Sequence, residues 1–121
     1  MKMLYKATLL ATTLGLFTSS AFAASIPSEI YRPNGQLVKV DKQGSGEYEV
    51  EYRLKGNDVR GLAKRVISHA QRHGFRLKES DIERDDADLK FKRGDQELDV
   101  QIEVKDHNRI EYKADLDLDK N

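Results

Sequence analysis

The chain has 121 residues, no cysteine, and 21 basic against 21 acidic residues. This balance provides no long-range attraction to nucleic acid or to an anionic membrane, so nucleic-acid binding is not expected. Because no disulfide can form, one hydrophobic core must hold the folded chain together.

Residues 1–23 have the pattern of a cleavable secretion signal. Lys2 and Lys6 precede eleven mostly apolar residues, and the segment closes with Ala21-Phe22-Ala23, whose small side chains suit signal peptidase. The apolar run is shorter than the roughly 20 residues that a spanning helix needs. We therefore predict cleavage after Ala23 and a mature chain of 98 residues without a transmembrane segment. Its predicted location is periplasmic or secreted.

The mature chain is predicted to begin with an extended lead-in, residues 24–35, that ends in the turn signal Pro33-Asn34-Gly35. A short strand is predicted at 37–40. Residues 47–54 alternate between apolar and charged side chains, which is the period-two pattern of a half-buried strand.

One amphipathic helix is predicted next, because six apolar residues recur at spacings of three and four within 59–70. Asn57 or Asp58 is expected to cap its first turn, and Gly74 to occupy a left-handed position after its last turn. Gly61 lowers the helix stability by about 1 kcal/mol and is expected to mark close packing against a sheet.

The remaining residues are predicted to form a meander of strands that begins at Phe75 and ends near Leu116. Ile82 is out of phase with the preceding alternation, and either a bulge or a short helical turn in 78–88 would explain this. The predicted fold class is α+β: one amphipathic helix packed on one face of a four- to six-stranded, mostly antiparallel sheet, in a single domain of residues 36–121. The other sheet face is expected to present acids to water: Glu47, Glu49, Glu51, Asp99, Glu103 and Glu111.

The order of these elements resembles the small exported domains of the PepSY type. The resemblance covers roughly residues 57–116: a helix, His73-Gly74-Phe75, a strand, an acidic turn, a strand, the Gly94-Asp95 turn and an alternating strand. This sequence lacks the Asp-x-x-Thr-Gly turn of many such domains. The resemblance implies, as an alternative function, the binding or restraint of peptidases.

Two histidines form a candidate metal site. His69 and His73 are four residues apart, so both lie on one side of the helix within reach of one ion. A zinc protease of the His-Glu-x-x-His type needs a carboxylate where this chain has Ala70. Two ligands of the usual three or four leave a weak transition-metal site as a further alternative, with His107 the remaining histidine.

No residue pattern predicts catalysis or a resident cofactor. A cysteine nucleophile is absent, and Ser68 and His69 point about 100° apart on the helix. The acidic run 115–119 resembles the opening of a calcium loop, but Lys120 stands where that loop requires glycine. We therefore expect a protein that is not an enzyme.

Charge is unevenly distributed along the chain. Residues 58–76 carry five basic residues and one acid, whereas acids are in excess over 79–121. An exposed basic helix side would suit an acidic partner, either an unidentified protein or an anionic component of the cell envelope, although exposed charges of this kind are more often a solvated face. The predicted function is a small exported binding or accessory domain. Its candidate contact residues are Arg60, Lys64, Arg65 and Arg72.

Overall fold

The computed structural model describes residues 26–44, 46–106 and 108–119. The predicted signal, residues 1–23, and His107 lie outside the described residues. The elements are β1 (Gln36–Gln43), β2 (Glu47–Lys55), α1 (Val59–Arg72), β3 (Arg76–Ile82), β4 (Asp86–Arg93), β5 (Gln96–Val104) and β6 (Arg109–Asp117). One helix and a six-stranded sheet within these residues confirm the α+β class.

All six strands form one antiparallel sheet in the order β1-β2-β6-β5-β4-β3. After β2 the chain crosses through α1 to the far edge of the sheet, where β3 begins. From this edge, β3, β4, β5 and β6 follow one another as hairpins back towards β2. All nine residues of β6 pair with β2. The central β2–β6 pair therefore joins residues that are far apart in the sequence.

Both edge strands contain a bulge. The register shifts after Leu37 in β1 and between Leu77 and Glu79 in β3. The extra residue in β3 returns Ile82 to the apolar face, where it pairs with Ala87. The bulge, one of the two explanations proposed for this segment, is therefore confirmed.

The helix α1 begins at a side-chain cap. The Asp58 carboxylate accepts a hydrogen bond from the Gly61 N–H at 2.9 Å, which satisfies one of the free donors of the first turn. Gly74 has a left-handed φ of 88°, as expected after the last turn. The expectation that Gly61 packs against the sheet is wrong, because a Cβ at this position would meet the Asp58 carboxylate. The glycine leaves room for the cap.

The helix packs on one face of the sheet, where it contacts β3, β4 and β5. Six strands spaced about 4.8 Å apart span roughly 24 Å, whereas a helix with its side chains is about 10–12 Å wide. A single helix is therefore too narrow to cover the apolar face of this sheet. Its buried residues are Val59, Leu62, Ala63, Val66 and Ala70.

The lead-in supplies the second cover. Ile26 and Ile30 are only 5% and 1% exposed and belong to the hydrophobic core. The Tyr112 hydroxyl of β6 donates to the Tyr31 carbonyl at 2.7 Å, and burial raises the pKa of Tyr112 far above its ordinary value. The segment before β1 is thus part of the packed domain, which alternation and helical periodicity did not indicate.

The replacement Ile30→Ala tests this role of the lead-in. Truncation of a buried isoleucine lowers the free energy of unfolding by about 2–5 kcal/mol, and we expect a loss in this range by urea denaturation. The control Val38→Ala alters a side chain that is 46% exposed and should change stability by less than about 0.5 kcal/mol. Equal effects of the two changes would contradict the packing described for the lead-in.

Candidate functional site

The outward side of α1 is basic. Arg60, Lys64, Arg65 and Arg72 are all exposed, and the helix contains no acidic residue. At about 100° per residue the four side chains fall within an arc of about 140° opposite the buried stripe. We name these four residues the basic helix face. The structure brings together on one surface all four residues that the sequence analysis selected.

The charges of the basic helix face are not neutralised within the described part of the chain. There, Arg60, Lys64 and Arg65 take part in no ion pair, and Arg72 donates to the Ser68 hydroxyl at 2.8 Å. Arg60 lies in the first turn, where the helix dipole disfavours a positive charge. Lys64 follows it by four residues, a like-charge spacing that is unfavourable by roughly 0.2–0.5 kcal/mol. Helix stability therefore does not explain the charges of Arg60 and Lys64, whereas Arg72 lies in the last turn, where the helix dipole favours a cation.

The two candidate metal ligands lie beside the lead-in. The ring centroids of His69 and His73 are 4.4 Å apart. Because a carbonyl can only accept, His69 Nε2 donates to the Ser28 carbonyl at 2.7 Å and His73 Nδ1 donates to the His69 carbonyl at 2.9 Å. The Tyr31 ring packs edge-on against His69, with centroids 5.7 Å apart. These contacts give His69 a structural role, since it fastens the lead-in to α1.

The same geometry leaves the metal hypothesis with two ligands. One nitrogen of each ring, Nδ1 of His69 and Nε2 of His73, makes no hydrogen bond to the residues that the structure describes. Among those residues no group of three or more His, Asp or Glu side chains has an arrangement that could hold a metal ion. The metal site stays a prediction.

Burial lowers the pKa of His69, and the charges of His73, Arg72 and Arg32 add to this effect, while the hydrogen bond to Ser28 opposes it. The folded state therefore favours the neutral imidazole. In the unfolded chain histidine takes up a proton near pH 6.5. The stabilisation that comes from neutral His69 is thus present above about pH 6.5 and is lost as the pH falls below this value.

We expect His69→Gln to flatten the dependence of stability on pH. A glutamine amide can donate to the Ser28 carbonyl and does not titrate. Between pH 7.5 and 5.0 the wild-type free energy of unfolding, measured in urea, should fall more steeply than that of the variant. The comparison variant His73→Gln should reduce the slope less than His69→Gln does, because it removes only one of the charges that lower the pKa of His69. The same slope for wild type and His69→Gln would contradict this assignment.

Carboxylates and cations cluster at opposite ends of β2 and β6 on the outer face of the sheet, although Glu111 lies opposite Arg53. Where β2 begins and β6 ends, a surface groove of about 310 Å³ is surrounded by carboxylates, and we name it the acidic groove. At the other end of the same strands lie Arg53, Lys55 and Arg109. At about 3.4 Å per residue the two ends are roughly 20 Å apart. The acids of the groove are Asp41, Glu47, Glu49, Glu97, Asp99, Asp115 and Asp117.

The acidic residues predicted for the outer sheet face are present. The sequence analysis did not predict the three cations at the other end of β2 and β6. Arg53 and Lys55 are more than fifty residues from Arg109 in the sequence. They share an edge of the surface only because β2 pairs with β6 in the observed register. No local pattern carries this information.

Within the acidic groove the register sets like charges directly opposite one another. Asp115 lies between Glu49 on β2 and Asp99 on β5. Burial raises the pKa of Asp115, and the charges of Glu49 and Asp99 raise it further. Lys39 partly compensates, with its Nζ 3.0 Å from Glu49 Oε1. The groove therefore carries a local repulsion that the fold tolerates.

We expect Asp115→Asn to stabilise the protein at pH 7 by roughly 0.2–1 kcal/mol, because opposed like charges on adjacent strands are unfavourable and screening by water keeps the effect small. A raised pKa means that the folded state is penalised once this carboxyl ionises. The gain should therefore vanish below about pH 3.9, where the carboxyl is protonated in both states, and should shrink in high salt. Asp95→Asn, in an exposed turn, is the control. No gain at pH 7 would count against the repulsion.

No protein-family model matches the chain, and comparisons with curated proteins and with solved structures also found no match. The resemblance to PepSY-type domains therefore stays a prediction from the order of elements. In the described ranges no helix has the length and apolar character needed to cross a membrane. The function is inferred from the surface chemistry of this chain.

Proposed function

We propose that this protein is a small exported, non-enzymatic binding domain that docks an anionic polysaccharide on its basic helix face. The observation that supports this function is the set of four exposed cations on a helix without acids. Three of them, Arg60, Lys64 and Arg65, have no ion-pair partner among the described residues. A polyanion would supply the missing counter-charges.

The chemistry of the helix surface favours a polysaccharide over a protein partner. Protein interfaces draw most of their affinity from aromatic and apolar side chains buried at the centre of the contact. The exposed residues of α1 are all polar or charged, and from Arg60 to Arg72 they extend about 18 Å along the helix axis. Such a row suits a linear polymer with regularly spaced negative charges. These exposed residues are Arg60, Lys64, Arg65, Ser68, Gln71 and Arg72.

The proposed location rests on the leader. Cleavage after Ala23 would leave two residues before Ile26, whose side chain is 5% exposed and part of the core. Export would bring the basic helix face into the compartment that contains the anionic polysaccharides of the envelope.

The proposal is tested by the binding of a labelled heparin oligosaccharide, used as a model polyanion, to the mature chain 24–121. Counter-ion release makes such binding weaken as salt rises. For Arg65→Gln/Arg72→Gln the slope of log affinity against log salt should be smaller by about 2, one for each cation removed.

The matched control is Lys78→Gln/Lys90→Gln, which removes the same charge from exposed positions on β3 and β4. It should leave the slope and the affinity close to those of wild type. No binding by wild type at low ionic strength, or equal losses in both double variants, would reject the basic helix face as a docking surface. Retention of a periplasmic protein by the same face, without heparin binding, would replace the polysaccharide with a protein partner.

The two alternatives from the sequence remain predictions. Restraint of a peptidase by strand addition would need a regular edge, and bulges interrupt both β1 and β3. Metal binding would rest on His69 and His73 and needs further ligands. Neither alternative has an observation that favours it over the basic helix face.

A further inference from the structure

A surface pocket of about 600 Å³ lies at the basic end of the sheet, and no residue of α1 lines it. Its walls come from the turn before β1, the end of β2 and the start of β6. Its volume falls within the roughly 300–1,000 Å³ that small-molecule sites occupy. No carboxylate is among its described lining residues. The polar side chains that line it are Arg53, Lys55, Arg109, Asn34, Gln36 and Asn108.

The three cations of the pocket are positioned by paired strands. Lys55 and Arg109 are direct cross-strand partners, and Arg53 lies two residues before Lys55 on the same sheet face. Like charges at opposed positions are unfavourable. Within the described ranges Arg53 and Lys55 form no ion pair, while Arg109 Nη2 lies 3.1 Å from the Asp106 carboxylate. The pocket thus concentrates three cations, of which only Arg109 is ion-paired among the described residues, although Glu111 is the cross-strand partner of Arg53.

A buried donor in the pocket wall lacks an acceptor. Arg109 Nε is buried and has no hydrogen-bond partner among the described residues. Buried donors in folded proteins are nearly always paired, because an unpaired one is unfavourable. An oxyanion in the pocket would supply a counter-charge for this guanidinium group, and it could accept from Nε only if the side chain turned, because that atom is buried.

The pocket wall is held by close backbone packing. A Cβ on Gly35 would lie 2.7 Å from the Arg53 carbonyl oxygen and 2.9 Å from Leu54 Cγ. Only glycine therefore allows the turn before β1 to lie this close to the end of β2. The backbone of this part of the pocket wall is therefore held by packing within the protein itself.

We propose that this pocket binds a small molecule with one or more oxyanionic groups, either carboxylate or phosphate. Arg53, Lys55 and Arg109 supply the counter-charge, and the side-chain amides of Asn34 and Asn108 supply further donors for ligand oxygens. The proposal does not depend on the polysaccharide surface, because the two sites share no residue.

The test is a titration of the mature chain 24–121, followed by amide chemical shifts, with citrate and with inorganic phosphate in separate experiments. We expect saturable shifts confined to residues 34–36, 53–55 and 108–109. Saturation by citrate alone identifies a carboxylate site, saturation by phosphate alone a phosphate site, and saturation by both a general oxyanion site. The affinity should fall at least about tenfold in Arg53→Gln/Arg109→Gln.

Two controls keep the outcome decisive. Arg109 also pairs with Asp106, so a loss seen in its variant could reflect local unfolding. Lys55→Gln alters an exposed side chain and should weaken binding without lowering the thermal midpoint, because it relieves the repulsion from Arg109. Arg65→Gln/Arg72→Gln should bind citrate or phosphate as wild type does while losing heparin affinity. Absence of saturable shifts with both anions, or shifts unaffected by the Arg53, Lys55 and Arg109 changes, would overturn the proposal.

Discussion

The width of the apolar sheet face is the constraint on which the rest of this structure depends. Six strands present a surface about twice as wide as one helix, so α1 covers β3 to β5 and the lead-in must pack beside it.

Arg93 contacts the lead-in, the end of α1 and the residue before β3. Its guanidinium donates to the His73 carbonyl at the end of α1, lies 3.1 Å from the Glu29 carboxylate of the lead-in, and stacks on the Phe75 ring with 4.5 Å to the centroid.

Because α1 and the lead-in cover one face of the sheet, two surfaces are exposed to solvent: the outer side of α1 and the outer face of the sheet. Among the described residues the buried set contains no charged side chain, so the charges are displayed on these two surfaces. They are sorted by sign into the basic helix face, the acidic groove and the basic end of β2 and β6. This separation, in a chain with equal numbers of basic and acidic residues, underlies the two binding proposals, one for the basic helix face and one for the pocket at the basic end of the sheet.

The acidic groove also bears on how anions would reach the chain. The carboxylates of the acidic groove would repel a small anion, which leaves the end of the sheet near Arg53, Lys55 and Arg109 as the more favourable side of this face for its approach. A polymer would meet the longer row of cations on α1. The two proposed sites thus differ in shape as well as in residues, and salt should affect the polymer more strongly because more counter-ions are released.

The sequence by itself determined the elements whose pattern is local: the alternation of β2, the apolar stripe of α1 with a cap at Asn57 or Asp58, and the four cations on the outer helix side. Periodicity reveals which face of an element is buried, because side-chain direction repeats within a few residues. It does not reveal register or the width of the finished sheet. Only the tertiary structure decided that Ile30 belongs to the core, that a bulge returns Ile82 to the apolar face, and that β2 and β6 bring Arg53 and Arg109 together. Each of these outcomes depends on pairing or packing between distant segments, which no local pattern encodes.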